Sequence, residues 1–173
     1  MRINFYALRA IYFHEMDRFR RTLIQSLLSP VLSTSLYFIV FGSVIGDYVQ
    51  KIDGISYGSY IVPGLLMLTL LTQSISNTSF GIFFPKFNGT IYEILAAPIS
   101  TVEIVIAYVG AGATKTLIVA AVIFFTSLFF AEVNVKFPLL MIFLLILVAF
   151  TFAVFGFLIG LLSKNFEQMS IIP

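Results

Sequence analysis

Residues 138–162 read PLLMIFLLILVAFTFAVFGFLIGLL and contain no charged side chain. A run of this length and apolar character is typical of a helix that crosses a lipid bilayer. Three further apolar runs precede it, at about 23–46, 57–84 and 101–131. At about 1.5 Å per residue the first of these would reach roughly 36 Å, which exceeds a hydrocarbon core of about 30 Å. The sequence therefore predicts an all-α, polytopic membrane protein with about four transmembrane helices, forming a single transmembrane domain over residues 1–173.

The composition of the whole chain excludes several classes of site. Hydrophobic residues make up 60% of the 173 positions and charged residues 10%, against about 25% charged in soluble domains. There is no cysteine and only one histidine, His14, so neither a disulfide nor a thiolate or multi-histidine metal site is available. The few polar residues do not supply a nucleophile, base and orienting group. We therefore expect no catalytic residue, no cofactor, no metal and no nucleic-acid partner.

The first 21 residues have the pattern of an amphipathic helix. Apolar side chains recur there at steps of three and four, which places them on one stripe: Phe5, Leu8, Tyr12, Met16, Phe19 and Leu23. His14, Arg18 and Arg21 project from roughly the opposite side. The pattern predicts a helix in the membrane interface whose arginines anchor it among lipid headgroups: Arg9, Arg18, Arg20 and Arg21. The alternative is that the first 21 residues are only a basic segment that flanks the first span.

The basic residues also predict the orientation of the chain. With a cytoplasmic N-terminus, seven Lys and Arg fall on the inside and two, Lys51 and Lys136, on the outside. Cytoplasmic segments carry the excess of positive charge in most membrane proteins. Both ends of the chain are therefore expected in the cytoplasm.

The second apolar run carries a polar face. Five uncharged side chains fall at i, i+3, i+4, i+7 and i+8: Thr69, Thr72, Gln73, Ser76 and Asn77. Such a face is costly to expose to acyl chains, so it either packs on another helix or lines a watery cavity. Thr69, Gln73, Ser76 and Asn77 are therefore candidate pathway residues.

Lys115 is a further pathway candidate because it stands within the third apolar run. The interpretation we favour is that its side chain extends to the cytoplasmic surface. A position on a water-filled pathway is the alternative.

The segment between the second and third runs, residues 85–100, is punctuated like a separate element. A Ser or Thr is followed three residues later by Glu at two places, Thr90 with Glu93 and Ser100 with Glu103, and each pair can form a capping box. Pro98 blocks continuation of a helix between them. The pattern predicts a short helix from about Ile91 to Ala97, which either docks in a partner's groove or rests on headgroups.

Residues 88–100, NGTIYEILAAPIS, also carry a family motif. It comprises a Gly-Thr, an acidic residue three positions after the Thr, a leucine, a proline and a serine, here Gly89, Thr90, Glu93, Leu95, Pro98 and Ser100. Together with the N-terminal helix and the Pro-Gly of the second run, this motif resembles the ABC type-2 exporter permeases, the membrane subunits of bacterial ATP-binding-cassette exporters. Glu103, Gly110 and Gly112 also stand where that family tends to keep Glu and small residues.

The resemblance implies that the short helix is a coupling helix, which docks on a separate ATP-binding-cassette ATPase subunit. The docking residues would be Gly89, Thr90, Ile91, Tyr92, Glu93, Ile94, Leu95 and Pro98. It also implies a bacterial inner (cytoplasmic) membrane and a second permease copy in a homodimer. Members commonly carry further C-terminal spans, so a chain ending at Pro173 after its fourth span is expected to be a fragment or truncated product. Residues 110–116, GAGATKT, lack the glycine that a phosphate-binding loop needs before its lysine, so ATP hydrolysis is expected in the partner.

The function expected on these grounds is export of an amphipathic substrate, such as a drug, lipid or glycoconjugate, by alternating access. An ion-coupled secondary carrier is one alternative, disfavoured because no Asp or Glu stands at mid-membrane in the sequence pattern. A non-transporting membrane assembly subunit is the other.

Overall fold

The computed structural model describes residues 4–45, 51–52, 55–133 and 135–171 and is largely helical. The helices are α1 (Phe5–Arg21), α2 (Leu23–Tyr37), α3 (Tyr57–Asn88), α4 (Ile91–Ala96), α5 (Thr101–Ser127), α6 (Pro138–Leu162) and α7 (Phe166–Ile171). A π-helical segment, Phe38–Ile45, continues α2, and a two-stranded antiparallel ribbon of β1 (Lys51–Ile52) and β2 (Ile55–Ser56) precedes α3. Within these residues four helical stretches are long and apolar enough to cross a membrane: Leu23–Phe41, Tyr57–Asn88, Thr101–Ser127 and Pro138–Leu162. The predicted all-α, polytopic class is confirmed.

The second spanning helix is longer than its apolar run. α3 continues through Pro63 and Pro85 to Asn88, beyond the predicted limit at 84. Prolines are tolerated in membrane helices because neighbouring groups satisfy the carbonyls that they free. Gly89 then adopts a left-handed backbone, with φ 79° and ψ −5°, and ends the helix. In contrast, α5 ends at Ser127, before the predicted limit at 131.

α5 lies at the centre of the bundle, with α1, α2, α3 and α6 packed against it. Its contact with α3 depends on Gly112, because a Cβ at that position would overlap the hydroxyl of Thr78. Small side chains let the backbones of membrane helices approach closely, where dispersion contacts hold them together.

α6 packs on α3 through a ridge of small residues. The ridge consists of Ala149, Ala153, Gly156 and Gly160, all buried. A Cβ at Gly156 would lie 2.5 Å from the carbonyl oxygen of Ile75, and one at Gly160 would overlap the carbonyl of Ser79. The hydroxyl of Ser74 donates to the Ala149 carbonyl at 2.6 Å, which joins the two backbones inside the contact.

Lys86 connects α3 to α6 at the end of the bundle where α4 lies. Its Nζ donates to the carbonyls of Leu161 at 2.7 Å and Ser163 at 2.8 Å. These carbonyls lie at the C-terminus of α6, where the helix dipole favours a cation. Lys86 therefore ties the last turn of α3 to the last turn of α6.

Candidate functional site

α4 is the exposed connecting helix of the structure. Ile91 and Ile94 point inward and pack against the buried core, while Tyr92 is 73% and Leu95 60% exposed. Glu93 is exposed beside them. The helix therefore presents an aromatic ring, a branched aliphatic side chain and a carboxylate on its outer face.

The predicted capping box at Thr90 does not form. Thr90 has helical φ and ψ angles and makes no side-chain cap bond to α4; its hydroxyl donates instead to the Pro85 carbonyl at 3.4 Å. The left-handed turn at Gly89 directs Thr90 back to the end of α3, where the Pro85 carbonyl accepts its hydrogen.

Ser100 is the N-cap of α5, and Glu103 connects three segments there. One oxygen of the Glu103 carboxylate accepts from the Ser100 N–H at 2.8 Å. The other accepts from the Asn4 N–H at 2.5 Å, just before α1 begins. Because Glu103 is buried, this carboxylate joins the exit from α4, the first turn of α5 and the start of α1.

The polar face predicted for the second span is divided between two neighbours of α3. Thr69 and Gln73 face α2. Asn77, by contrast, donates from Nδ2 to Thr116 Oγ1 of α5 at 3.3 Å. Ser76 is half-buried, and its hydroxyl has no partner within the described part of the chain. The cavity interpretation thus applies to Thr69 and Gln73, and the packing interpretation to Asn77.

Thr69 and Gln73 belong to a cleft of about 260 Å³ between α2 and α3. From α3 the lining also includes Leu65, Leu68 and Thr72. From α2 it includes Ser29, Pro30, Ser33, Thr34 and Tyr37. Sequence reasoning missed the α2 side, although Ser29, Ser33 and Tyr37 follow one another at steps of four.

Lys115 is buried and does not reach this cleft. It is 4% exposed, and its Nζ lies 2.7 Å from Glu15 Oε2 on α1. The favoured interpretation, in which the side chain extends to the cytoplasmic surface, is wrong because a buried carboxylate pairs with the ammonium inside the bundle.

Arg18 Nη2 lies 3.1 Å from the same Glu15 oxygen, and Glu15 Oε1 has no hydrogen-bond partner among the described residues. Sequence reasoning missed Glu15, whose signal was its spacing of four residues from both Ile11 and Phe19.

The inner face of α1 includes most of the predicted stripe and is wider than it. Leu8, Met16 and Leu23 pack against buried residues, and Phe19 is buried. Ile11 and Glu15, which the stripe did not include, are buried as well, whereas Phe5 is 72% exposed. Arg18, expected on the outer side, instead lies beside Glu15 on the inner side. The other three predicted anchors, Arg9, Arg20 and Arg21, are exposed. The pairing with Lys115 directs Glu15, the only buried carboxylate described on α1, toward α5.

Comparison with known proteins identifies the family. Residues 6–173 match the family described as ABC-2 type transporter. The chain belongs to this family. It is 36% identical over 173 residues to the inner membrane transport permease YadH of Escherichia coli strain K12, an alignment that covers 100% of this chain and 68% of YadH. The YadH proteins of Escherichia coli O157:H7 and Shigella flexneri show the same identity and coverage. No solved structure matches the chain.

Membership of the ABC-2 type transporter family confirms the resemblance carried by Gly89, Thr90, Glu93, Leu95 and Pro98. Together with the four apolar helices, it makes this chain a multi-pass membrane protein of a transporter. Among the described residues, α4 exposes a surface to a partner, and the cleft between α2 and α3 is open to a ligand.

Proposed function

We propose that the chain is the permease subunit of an ATP-binding-cassette exporter in the bacterial inner membrane, and that it moves an amphipathic substrate out of the cytoplasm. ATP is hydrolysed by a separate ATPase subunit, and two permease copies form the translocation unit. The observation that carries the proposal is the exposed face of α4 in a chain of the ABC-2 type transporter family. The Escherichia coli relative is named an inner membrane transport permease, which supports both the proposed membrane and the proposed transport activity.

The chemistry of α4 supports docking on the ATPase subunit. Tyr92 and Leu95 would fill an apolar groove, and Glu93 would meet a basic side chain at its rim. Ile91 and Ile94 hold the helix on the bundle, so a force applied to its outer face is transmitted inward.

The contacts that follow α4 in the chain support a path by which motion of the ATPase subunits reaches the bundle. Pro98 and Ile99 lead directly into α5, and Glu103 binds the first turn of α5 to Asn4. Closure of the ATPase subunits would displace α4 together with α5 and the start of α1. The bundle would then alternate between inward-open and outward-open states. The uncharged cleft between α2 and α3 would face the substrate pathway.

The proposed topology has both ends in the cytoplasm. α1 would lie in the interface, where the exposed Arg9, Arg20 and Arg21 meet anionic headgroups. Lys86, at the end of α3, would be on the same cytoplasmic side as α4.

A photo-crosslinking experiment in native membranes tests the proposal. A benzophenone amino acid placed at Tyr92 should form an adduct with a protein that contains an ATP-binding P-loop. The matched control is Phe129, an aromatic position that is 88% exposed after the far end of α5. Absence of a P-loop protein from the Tyr92 adducts, or identical adducts at both positions, would contradict the docking role of α4.

An ion-coupled carrier is a second candidate because of the buried Glu15. Intramembrane carboxylates mark ion and proton pathways, and Glu15 meets Lys115 within the bundle. The two candidates differ in their energy source. Transport that persists without ATP and stops when the proton gradient is dissipated would favour the carrier.

A further inference from the structure

Two buried polar atoms, Glu15 Oε1 and the hydroxyl of Thr78, have no hydrogen-bond partner among the described residues. Both lie where α3 meets α1 and α5. The Thr78 hydroxyl lies against the backbone of Gly112, and the Glu15 carboxylate lies beside Gly81, where an added Cβ would be 3.5 Å from Oε2. A buried polar atom without a partner costs free energy, so the two sides of this contact are incompletely matched.

Polar contacts divide the described helices into two units. α1 and α5 are joined along their length by three of them: Asn4 with Glu103, Tyr12 with Thr114, and Glu15 with Lys115. α3 and α6 are joined by the small-residue ridge, by Ser74 with the Ala149 carbonyl, and by Lys86 with the end of α6. Between α3 and α5, the described side chains form one hydrogen bond, from Asn77 to Thr116 at 3.3 Å. The contact between the two units therefore has few polar links to break.

The face of α3 that meets α1 and α5 repeats its chemistry every four residues. Three of its contacts are Asn77 with Thr116, Thr78 with Gly112, and Phe84 with Arg18. The residues four positions earlier are Gln73, Ser74 and Phe80. Four residues are close to one helical turn. A slide of α3 by one turn toward its C-terminus would therefore replace an amide by an amide, a hydroxyl by a hydroxyl and a phenyl ring by a phenyl ring.

The same slide would supply the partner that Glu15 lacks. Gly81, which now lies beside the carboxylate, has no side chain to donate a hydrogen bond. The residues three and four positions earlier are Thr78 and Asn77, and both carry donors. A Cβ at the Gly81 position makes only ordinary contacts, the nearest at 3.5 Å, so a side chain can enter there.

We propose that α3 and α6 slide as one unit against α1 and α5 by about one turn, roughly 5 Å, and that Asn77 and Thr78 donate to Glu15 Oε1 in the second register. One-turn shifts of one packed element past another are an established type of conformational change. α4 connects the end of α3 to the start of α5, so a force on α4 acts across this contact. The role of the slide in transport rests on the proposed function, whereas the slide itself can be measured without an ATPase subunit.

Disulfide trapping in phosphatidylcholine nanodiscs tests the slide, because the chain contains no cysteine. Gly58→Cys with Ala131→Cys reports the present register, since a Cβ at Gly58 would lie 3.8 Å from the Ala131 Cβ, the usual separation in a disulfide. Ser127 lies one turn before Ala131, whose N–H donates to the Ser127 carbonyl at 3.0 Å. Gly58→Cys with Ser127→Cys therefore reports the second register. Gly58→Cys with Phe129→Cys is the matched control on the opposite, exposed side of that turn.

Oxidation with copper phenanthroline, followed by titration of free thiols with maleimide-polyethylene glycol, gives the rate of each crosslink. We expect the Ala131 pair to form fastest, the Ser127 pair to accumulate more slowly, and the Phe129 pair to remain reduced. Gly81→Ser places a donor beside Glu15 in the present register. It should slow the Ser127 crosslink by at least about tenfold, as expected for one hydrogen bond to a carboxylate. Gly81→Ala adds the same Cβ without a donor and should slow it much less.

Absence of the Ser127 crosslink would overturn the proposal. Equal rates for the Ser127 and Phe129 pairs would also overturn it, because they would indicate local opening at the end of α5. Equal rates in Gly81→Ser and Gly81→Ala would show that Glu15 Oε1 gains no partner from the slide, as when a buried water already satisfies it, and would overturn the second register. The export function is judged separately by crosslinking at Tyr92, in a chain without introduced cysteines.

Discussion

Glu15 and Lys115 form a buried ion pair between α1 and α5, with 2.7 Å separating Glu15 Oε2 from Lys115 Nζ. Their side chains are 2% and 5% exposed, so water does not screen the charges. Arg18 approaches the same carboxylate from a half-exposed position. The pair therefore anchors the N-terminal helix to the centre of the bundle, close to the crossing of α3 and α5.

Glu15→Gln should destabilise the protein strongly. Loss of the carboxylate leaves Lys115 buried without its countercharge, at a cost of about 3–5 kcal/mol. The double variant Glu15→Gln with Lys115→Met should recover most of this loss, because no uncompensated charge then remains. Reversible unfolding in SDS micelles would measure both free energies. Additive destabilisation in the double variant would show that the two residues do not act as a pair.

Gly156→Ala should weaken the packing of α6 on α3. The added Cβ would lie 2.5 Å from the Ile75 carbonyl oxygen and 2.8 Å from its Cα, both backbone atoms. The helices must then separate, and overpacking of this kind costs about 1–3 kcal/mol. Gly64→Ala is the matched control, since a Cβ there meets nothing within 4 Å and alanine favours the helix. A lower unfolding midpoint for Gly64→Ala than for Gly156→Ala would contradict the role of the small-residue ridge.

Glu93→Lys and Leu95→Asp should uncouple ATP hydrolysis from transport while leaving membrane insertion intact. Both side chains are exposed on α4, so neither change disturbs the core. The first reverses the charge of the proposed docking surface, and the second places a charge where an apolar contact is proposed. ATP hydrolysis and substrate export in proteoliposomes that contain the ATPase subunit provide the measurement.

Glu132→Lys controls for the charge reversal, because Glu132 is exposed beyond the far end of α5. It should leave export unchanged. Undiminished export in both α4 variants would remove the basis for a coupling role of α4.

The helices follow from local features of the amino-acid sequence. Apolar runs long enough to cross a bilayer predict spanning helices wherever they occur, because lipid cannot satisfy backbone hydrogen bonds. The short helix α4 was equally predictable, since Gly89, Pro98 and Ser100 act on their immediate neighbours. These signals are local, and the boundaries that moved, at Asn88 and Ser127, lie at helix ends where local signals are weakest.

Which polar groups meet depends on how the helices pack together. The partner of Lys115 is 100 residues away in sequence, and the polar face of α3 divides at a point set by where α2 and α5 cross it. Those crossings depend on steric matches such as Gly112 with Thr78 and Gly156 with Ile75. A match of this kind involves two surfaces at once, so the periodicity of a single helix cannot specify it. Burial then determines the chemistry, because a carboxylate, an amide or a hydroxyl removed from water must find a partner where the packing places it.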